Sequence, residues 1–184
     1  KLPFEAQITT GLNIANSGNV DETIGHRTAI LISGGENRWA YMVGGAYELT
    51  GLQRDAEGLA LSPSNSLSKL QNISLLFKTI YELTAKQNLE LKYNFYNSVS
   101  KLQYKEVLGK FNESPTYGIP TNTNPLGDRE GTPYNHNAHL KYTWKTNFLK
   151  TNVEAIAYTQ LFKTVYEYDS QYFENGGQSN IQSD

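Results

Sequence analysis

The chain has 184 residues and a formal net charge of -2, with 16 basic residues against 18 acidic ones and no basic block, which excludes a phosphate-reading nucleic-acid surface. Cys is absent, so disulfide frameworks, thiol catalysis and thiolate metal sites are excluded together, and no run approaches the roughly eighteen apolar residues of a membrane-spanning helix. Hydrophobic content is only 38% while aromatic content is 12%, with thirteen Tyr; rings with a polar tip suit strands and water interfaces better than a deep core.

A period of two runs through most of the chain, placing successive side chains on opposite faces of a strand. From Phe4 to Ile14 the even positions are apolar or β-branched, against Glu5, Gln7, Thr9 and Asn13. Asn16 to Glu22 reads as loop, and Thr23 to Ser33 as a strand in which Ile30, Leu31 and Ile32 are too continuous to assign a face. Gly34 to Asn37 has the chemistry of a tight turn. Trp39, Tyr41, Val43, Tyr47 and Leu49 then share one face, with Gly44 and Gly45 suggesting a bend or a close approach. Thr50 to Ser68 is loop. Ile73, Leu75, Phe77, Thr79 and Tyr81 face one way and Asn72, Ser74 and Lys78 the other. After a turn at Glu82 to Gln87, the cleanest alternation follows in Asn88 to Ser100, where Leu89, Leu91, Tyr93 and Phe95 oppose Glu90, Lys92, Asn94 and Tyr96. Lys105 to Thr132 has no periodicity and reads as one long loop, of a length that is usually functional or disordered. Tyr134 to Lys145 alternates again. A short link at Thr146 to Lys150 leads into Val153 to Tyr168, whose pattern Ile156, Tyr158 and Phe162 blur. Tyr168 to Gln178 is polar loop, and an eighth strand begins near Ser179.

The connections near 34 to 37, 82 to 87 and 146 to 150 are short, whereas those near 16 to 22, 50 to 68, 105 to 132 and 169 to 178 are long. In an up-and-down antiparallel sheet this strict alternation gathers the short turns at one end and the long loops at the other, the asymmetry of outer-membrane barrels. Strands of about eleven residues or more suffice for a tilted membrane crossing. Trp39, Tyr81 and Trp144 all fall at the short-turn end of the apolar face, where an aromatic girdle would sit. The fold expected is therefore all-β, an antiparallel up-and-down transmembrane β-barrel. A soluble β-sandwich or lectin-like domain remains the alternative that strand alternation alone would allow.

Signals for catalysis are thin. His26, His136 and His139 lack zinc spacing, because a pair on one strand face is two residues apart and His136 and His139 differ by three. Asp128, Arg129 and Glu130 read as a solvated loop cluster. No phosphate loop, nucleophile elbow or HExxH motif occurs, and no Ser/His pair stands out as a barrel phospholipase would need. The expectation is a protein that is not an enzyme and uses neither cofactor nor metal.

The run from Arg38 to Ser66, RWAYMVGGAYELTGLQRDAEGLALSPSNS, resembles the early barrel of TonB-dependent outer-membrane receptors, with its Leu-Arg-Asp-like turn at Leu52, Gln53, Arg54 and Asp55. The runs KQNLELKYNFYNS, GTPYNHNAHLKYTWK and FKTVYEY look like later strands of the same family, particularly its siderophore-type members. The resemblance implies a bacterial outer-membrane location, a 22-stranded barrel filled by an N-terminal plug, ligand capture by long extracellular loops, and uptake driven through TonB. Residues 1–184 would then be a partial barrel domain of about eight strands, without plug, TonB box or remaining strands. This matches a chain that starts at Lys1 inside a strand-like stretch, has Met42 as its only Met, and stops at Asp184 after a Gly-Gly turn, which leads us to expect a processed chain or a segment of something longer.

On this reading Asn88 lies near the periplasm and Tyr104 outside. Glu90, Lys92, Lys141 and Glu154 are expected to face the plug from the lumen wall. Arg54, Tyr104, Tyr117, Arg129 and Asn135 are expected to contact ligand, because anionic ferric chelates call for Arg and aromatic groups. The partners implied are outer-membrane lipid, a ferric siderophore or similar small ligand, and TonB through the missing plug. Haem is an alternative ligand, with His136 or His26 as candidate iron contact, although the lipid-facing register of His136 counts against it. A self-contained eight-stranded barrel, acting as adhesin or structural protein, and a soluble carbohydrate-binding β-domain remain as alternatives.

Overall fold

The computed structural model describes residues 2–14, 20–61, 68–122, 131–146, 151–172 and 178–183. Strands β1 (Leu2–Asn13), β2 (Gly25–Glu36), β3 (Trp39–Leu49), β4 (Leu70–Thr84), β5 (Gln87–Ser100), β8 (Gly131–Lys145) and β9 (Asn152–Tyr172) pair in that order as a seven-stranded antiparallel sheet. One helical turn, α1 (Val20–Thr23), precedes β2; two short strands, β6 (Tyr104–Val107) and β7 (Tyr117–Pro120), come between β5 and β8 in the chain; β10 (Gln178–Ser183) pairs antiparallel with the last third of β9.

Register shows why alternation dominates the sequence. One row across the sheet reads Ala6, Ile32, Val43, Phe77, Tyr93, Ala138 and Thr159, and the next reads Ile8, Ile30, Gly45, Leu75, Phe95, His136 and Leu161. The opposite face carries Glu5, Ser33, Met42, Lys78, Lys92, His139 and Tyr158 in one row. The ambiguous run Ile30–Leu31–Ile32 is resolved, with Ile30 and Ile32 on the apolar face and Leu31 on the polar one. Leu31 needs room there: a Cβ added at Gly44 would meet its Cδ1 at 3.1 Å. The close approach expected at this glycine is thus a side chain lying over it, and the ladder through Gly44 and Gly45 stays regular on both sides. In β9, Ile156, Tyr158 and Phe162 blur the pattern because they sit on the polar face and are exposed there.

Three boundaries differ from the sequence reading. Gly34, Gly35 and Glu36 are still paired, with Tyr41, Ala40 and Trp39, so the turn is the two residues Asn37 and Arg38, with Asn37 at φ 55°. Asn tolerates that left-handed conformation better than most residues. The loop from Lys105 to Thr132 contains the β6–β7 hairpin, and β9 runs on to Tyr172 where a polar loop from Tyr168 was expected.

The short connections at 37–38 and 85–86 lie at one end of the sheet together with Thr146 and Thr151, and the strand ends that lead into the long connections lie at the other. Trp39 pairs with Tyr81, and Trp144 closes β8 at the same end. The sheet has almost no core. Among the described residues the only buried apolar side chains are Leu52, Ala60 and Val165, all at the long-loop end, while Phe4, Ile8, Ile30, Val43, Leu75 and Leu140 are exposed. No described residues close the sheet on itself: β1 pairs only with β2, and the part of β9 before Tyr166 pairs only with β8.

Candidate functional site

The long loops are tied into a small cluster of their own. Leu52, 1% exposed, is held by its backbone N–H donating to the Glu22 carbonyl at 2.8 Å. Gly51 is required beside it, since a Cβ there would lie 1.9 Å from the Thr23 carbonyl oxygen. Past Arg54 the chain makes a tight turn, with the Asp55 carboxylate accepting from Leu59 N–H at 2.8 Å. It then returns so that Ala60 accepts from Gly118 N–H of β7 at 2.8 Å. Three segments that are far apart in sequence therefore meet: α1, the β3–β4 loop and the β6–β7 hairpin.

A pocket of about 300 Å³ opens where they meet, lined among others by Glu22, Arg54, Leu59, Tyr104, Tyr117 and Pro120. Arg54 Nη2 is ion-paired with Glu22 Oε2, and Arg54 Nη1 donates to the Gly58 carbonyl at 2.8 Å. Tyr104 Oη donates to the same Glu22 oxygen at 3.3 Å. Burial, followed by the Glu22 charge, pushes the Tyr104 phenol pKa up, and Arg54 opposes the shift. The phenol therefore stays protonated and able to donate at neutral pH.

Of the residues expected to contact ligand, Arg54, Tyr104 and Tyr117 come together in this pocket. Asn135 does not: it lies within β8 on the polar sheet face, where its Oδ1 accepts from Asn137 Nδ2 at 2.9 Å and Gln160 Nε2 at 3.4 Å. Arg129 lies outside the described residues. Glu22, which joins Arg54 to Tyr104, was not singled out from the sequence; it sits in an undistinguished polar stretch and its partners are 32 and 82 residues away.

The four residues expected on the lumen wall share the polar face. Lys78 Nζ and Lys92 Nζ lie 3.1 and 3.7 Å from the two oxygens of Glu90, and Lys141 Nζ lies 2.6 Å from Glu154 Oε1. Lys78 is the member of this network that the sequence reading left out, although its strand position put it on the correct face. These pairs are partly exposed and contribute little stability individually. They hold three cations and two carboxylates in a fixed pattern near the short-turn end.

His136 lies on the apolar face, as its register predicts, with Nδ1 2.8 Å from Tyr93 Oη and its ring centroid 4.9 Å from that of Phe95. His26 shares that face beside Tyr47, at 5.4 Å between ring centroids. Neither lines the loop pocket. Among the described residues no group of three or more His, Asp or Glu could hold a metal ion. No protein family model, characterised protein or solved structure matches the chain.

Proposed function

We propose that this chain is part of the wall of a bacterial outer-membrane receptor of the TonB-dependent kind, within a 22-stranded barrel whose long loops capture a ferric siderophore or a similar scarce ligand. One observation carries the membrane assignment: a seven-stranded face of exposed aliphatic and aromatic groups, bounded by Trp39, Tyr81 and Trp144 at one end, with no core among the described residues packed against it. Trp39 and Tyr47 are the first and last aromatic residues of that face on β3. Eight residues separate them, about 27 Å along the strand, or about 20 Å after a tilt of about 40°, comparable to the roughly 25 Å apolar band of outer-membrane barrels.

The polar face supports the same reading. Its Lys78, Lys92, Lys141, Glu90 and Glu154 suit contact with a plug through hydrogen bonds and ion pairs, and the exposed Ile156, Tyr158 and Phe162 add apolar area for it to cover. The unpaired edge of β1 and the single-sided part of β9 favour a larger barrel over a self-contained one, because open strand edges invite pairing. Interior charge and an exterior aliphatic surface are the reverse of a soluble carbohydrate-binding sandwich, which buries aliphatics between its sheets.

Ligand capture rests on the loop pocket and on Arg129. Replacing Arg54 and Arg129 together by Gln in the full receptor should weaken ferric-siderophore binding at least about tenfold, measured by equilibrium titration, since charge-assisted contacts of this kind contribute about 1.5–3 kcal/mol. Unchanged affinity would contradict the ligand assignment.

A further inference from the structure

We infer that Glu22 is a built-in competitor, occupying the position at Arg54 and Tyr104 that a carboxylate of the ligand takes. This rests on the reading of the long-loop end as the ligand-capturing end, and it names the group the ligand must present there.

The geometry of the tie carries the inference. Both contacts of the Glu22 carboxylate fall on a single oxygen, Oε2, which meets Arg54 Nη2 and Tyr104 Oη. Arg54 Nε is buried and has no hydrogen-bond partner among the described residues. A guanidinium satisfied along its edge gives both Nε–H and Nη2–H to the two oxygens of one carboxylate, and that paired arrangement is the stronger one. Glu22 reaches only half of that edge, so the other donor is left desolvated and unmet, a state that costs free energy. A carboxylate entering from the pocket can take both donors, and the Tyr104 phenol stays protonated to donate a third hydrogen bond.

Exposure allows the exchange. The Glu22 side chain is 42% exposed and can swing into solvent, whereas Arg54, at 15%, is held by its bond to Gly58. The backbone bond from Leu52 N–H to the Glu22 carbonyl does not involve the carboxylate, so the loop framework persists when the side chain leaves. Exchange would thus loosen the link from α1 to the β3–β4 loop and the β6 strand without dismantling the pocket. With Arg54 and Glu22 cancelling each other, the closed pocket has no net attraction for anions in general. Only a ligand that completes the Arg54 edge gains enough to displace Glu22.

The test uses the full-length protein in detergent, with citrate as probe and its trimethyl ester as the uncharged control, both followed by calorimetry. Glu22→Gln and Glu22→Ala should each tighten citrate binding by about tenfold, Arg54→Gln should abolish it, and the ester should bind to none of them. An affinity that is unchanged or weakened in both Glu22 variants overturns the inference, as does the absence of citrate binding in every variant. The two failures are separable. A protein that shows the predicted citrate pattern but stays monodisperse without detergent keeps this inference and loses the outer-membrane reading. One that inserts into lipid yet shows no gain on removing Glu22 does the opposite.

Discussion

Leu75→Arg should destabilise the sheet in a phospholipid bilayer by about 2–4 kcal/mol, the cost of a cation on the lipid face near mid-depth. Leu75 is already 48% exposed, and in water an exposed Leu replaced by Arg would move stability by no more than about 0.5 kcal/mol. The adjacent residue gives the internal control. Ser74 pairs with Ala46 and Tyr96 on the polar face, so Ser74→Arg should stay within about 0.5 kcal/mol. Reversible denaturant titration in vesicles, monitored by intrinsic fluorescence, would measure both. Equal small effects would mean that the apolar face meets water.

Leu52→Ala should have the second large effect, and a local one. Removing a fully buried Leu costs about 2–5 kcal/mol, depending on how far the site collapses, and among the described residues the loop cluster has only Leu52 and Ala60 as buried apolar groups. The sheet should survive, since none of its register depends on Leu52. The expected result is faster hydrogen exchange at the amides of Leu52 and Gly118, which donate to Glu22 and Ala60, with the amides of β3 to β5 unchanged. Unaltered exchange at those two amides would show that the loop layer is held by something other than this side chain.

The strands of the meander could be read from sequence because a sheet with one apolar and one polar face writes its period directly into the chain, most plainly in β5 and β8. Where that contrast fails, so does the reading. Leu31 is apolar on the polar face because Gly44 leaves space beneath it, and in β9 the large residues Ile156, Tyr158 and Phe162 occupy the face that elsewhere carries polar groups. The β6–β7 hairpin was missed because four-residue strands are too short to show a period, and their partners, Ala60 and Gln171, come from other parts of the chain.

The loop pocket was half legible. Arg54, Tyr104 and Tyr117 can be chosen by chemistry alone, as cation and rings on long loops. That they converge, and that Glu22 already holds Arg54, depends on loop packing governed by Leu52, Gly51 and the bridge between Ala60 and Gly118. Asn135 was assigned to ligand by the same chemistry, but its strand position puts it among Asn137 and Gln160 instead.

On the proposed membrane reading the apolar face meets lipid, and the two Trp residues can test this directly. Trp39 and Trp144 are the only ones in the chain, both are exposed on that face, and both lie at the short-turn end, so their emission reports a single depth. With the full-length protein reconstituted in vesicles, lipids brominated near the headgroup end of the acyl chain should quench that emission strongly. Lipids brominated toward the chain terminus should quench it weakly, and aqueous iodide should have little effect. Full quenching by iodide with none from any brominated lipid would contradict the account.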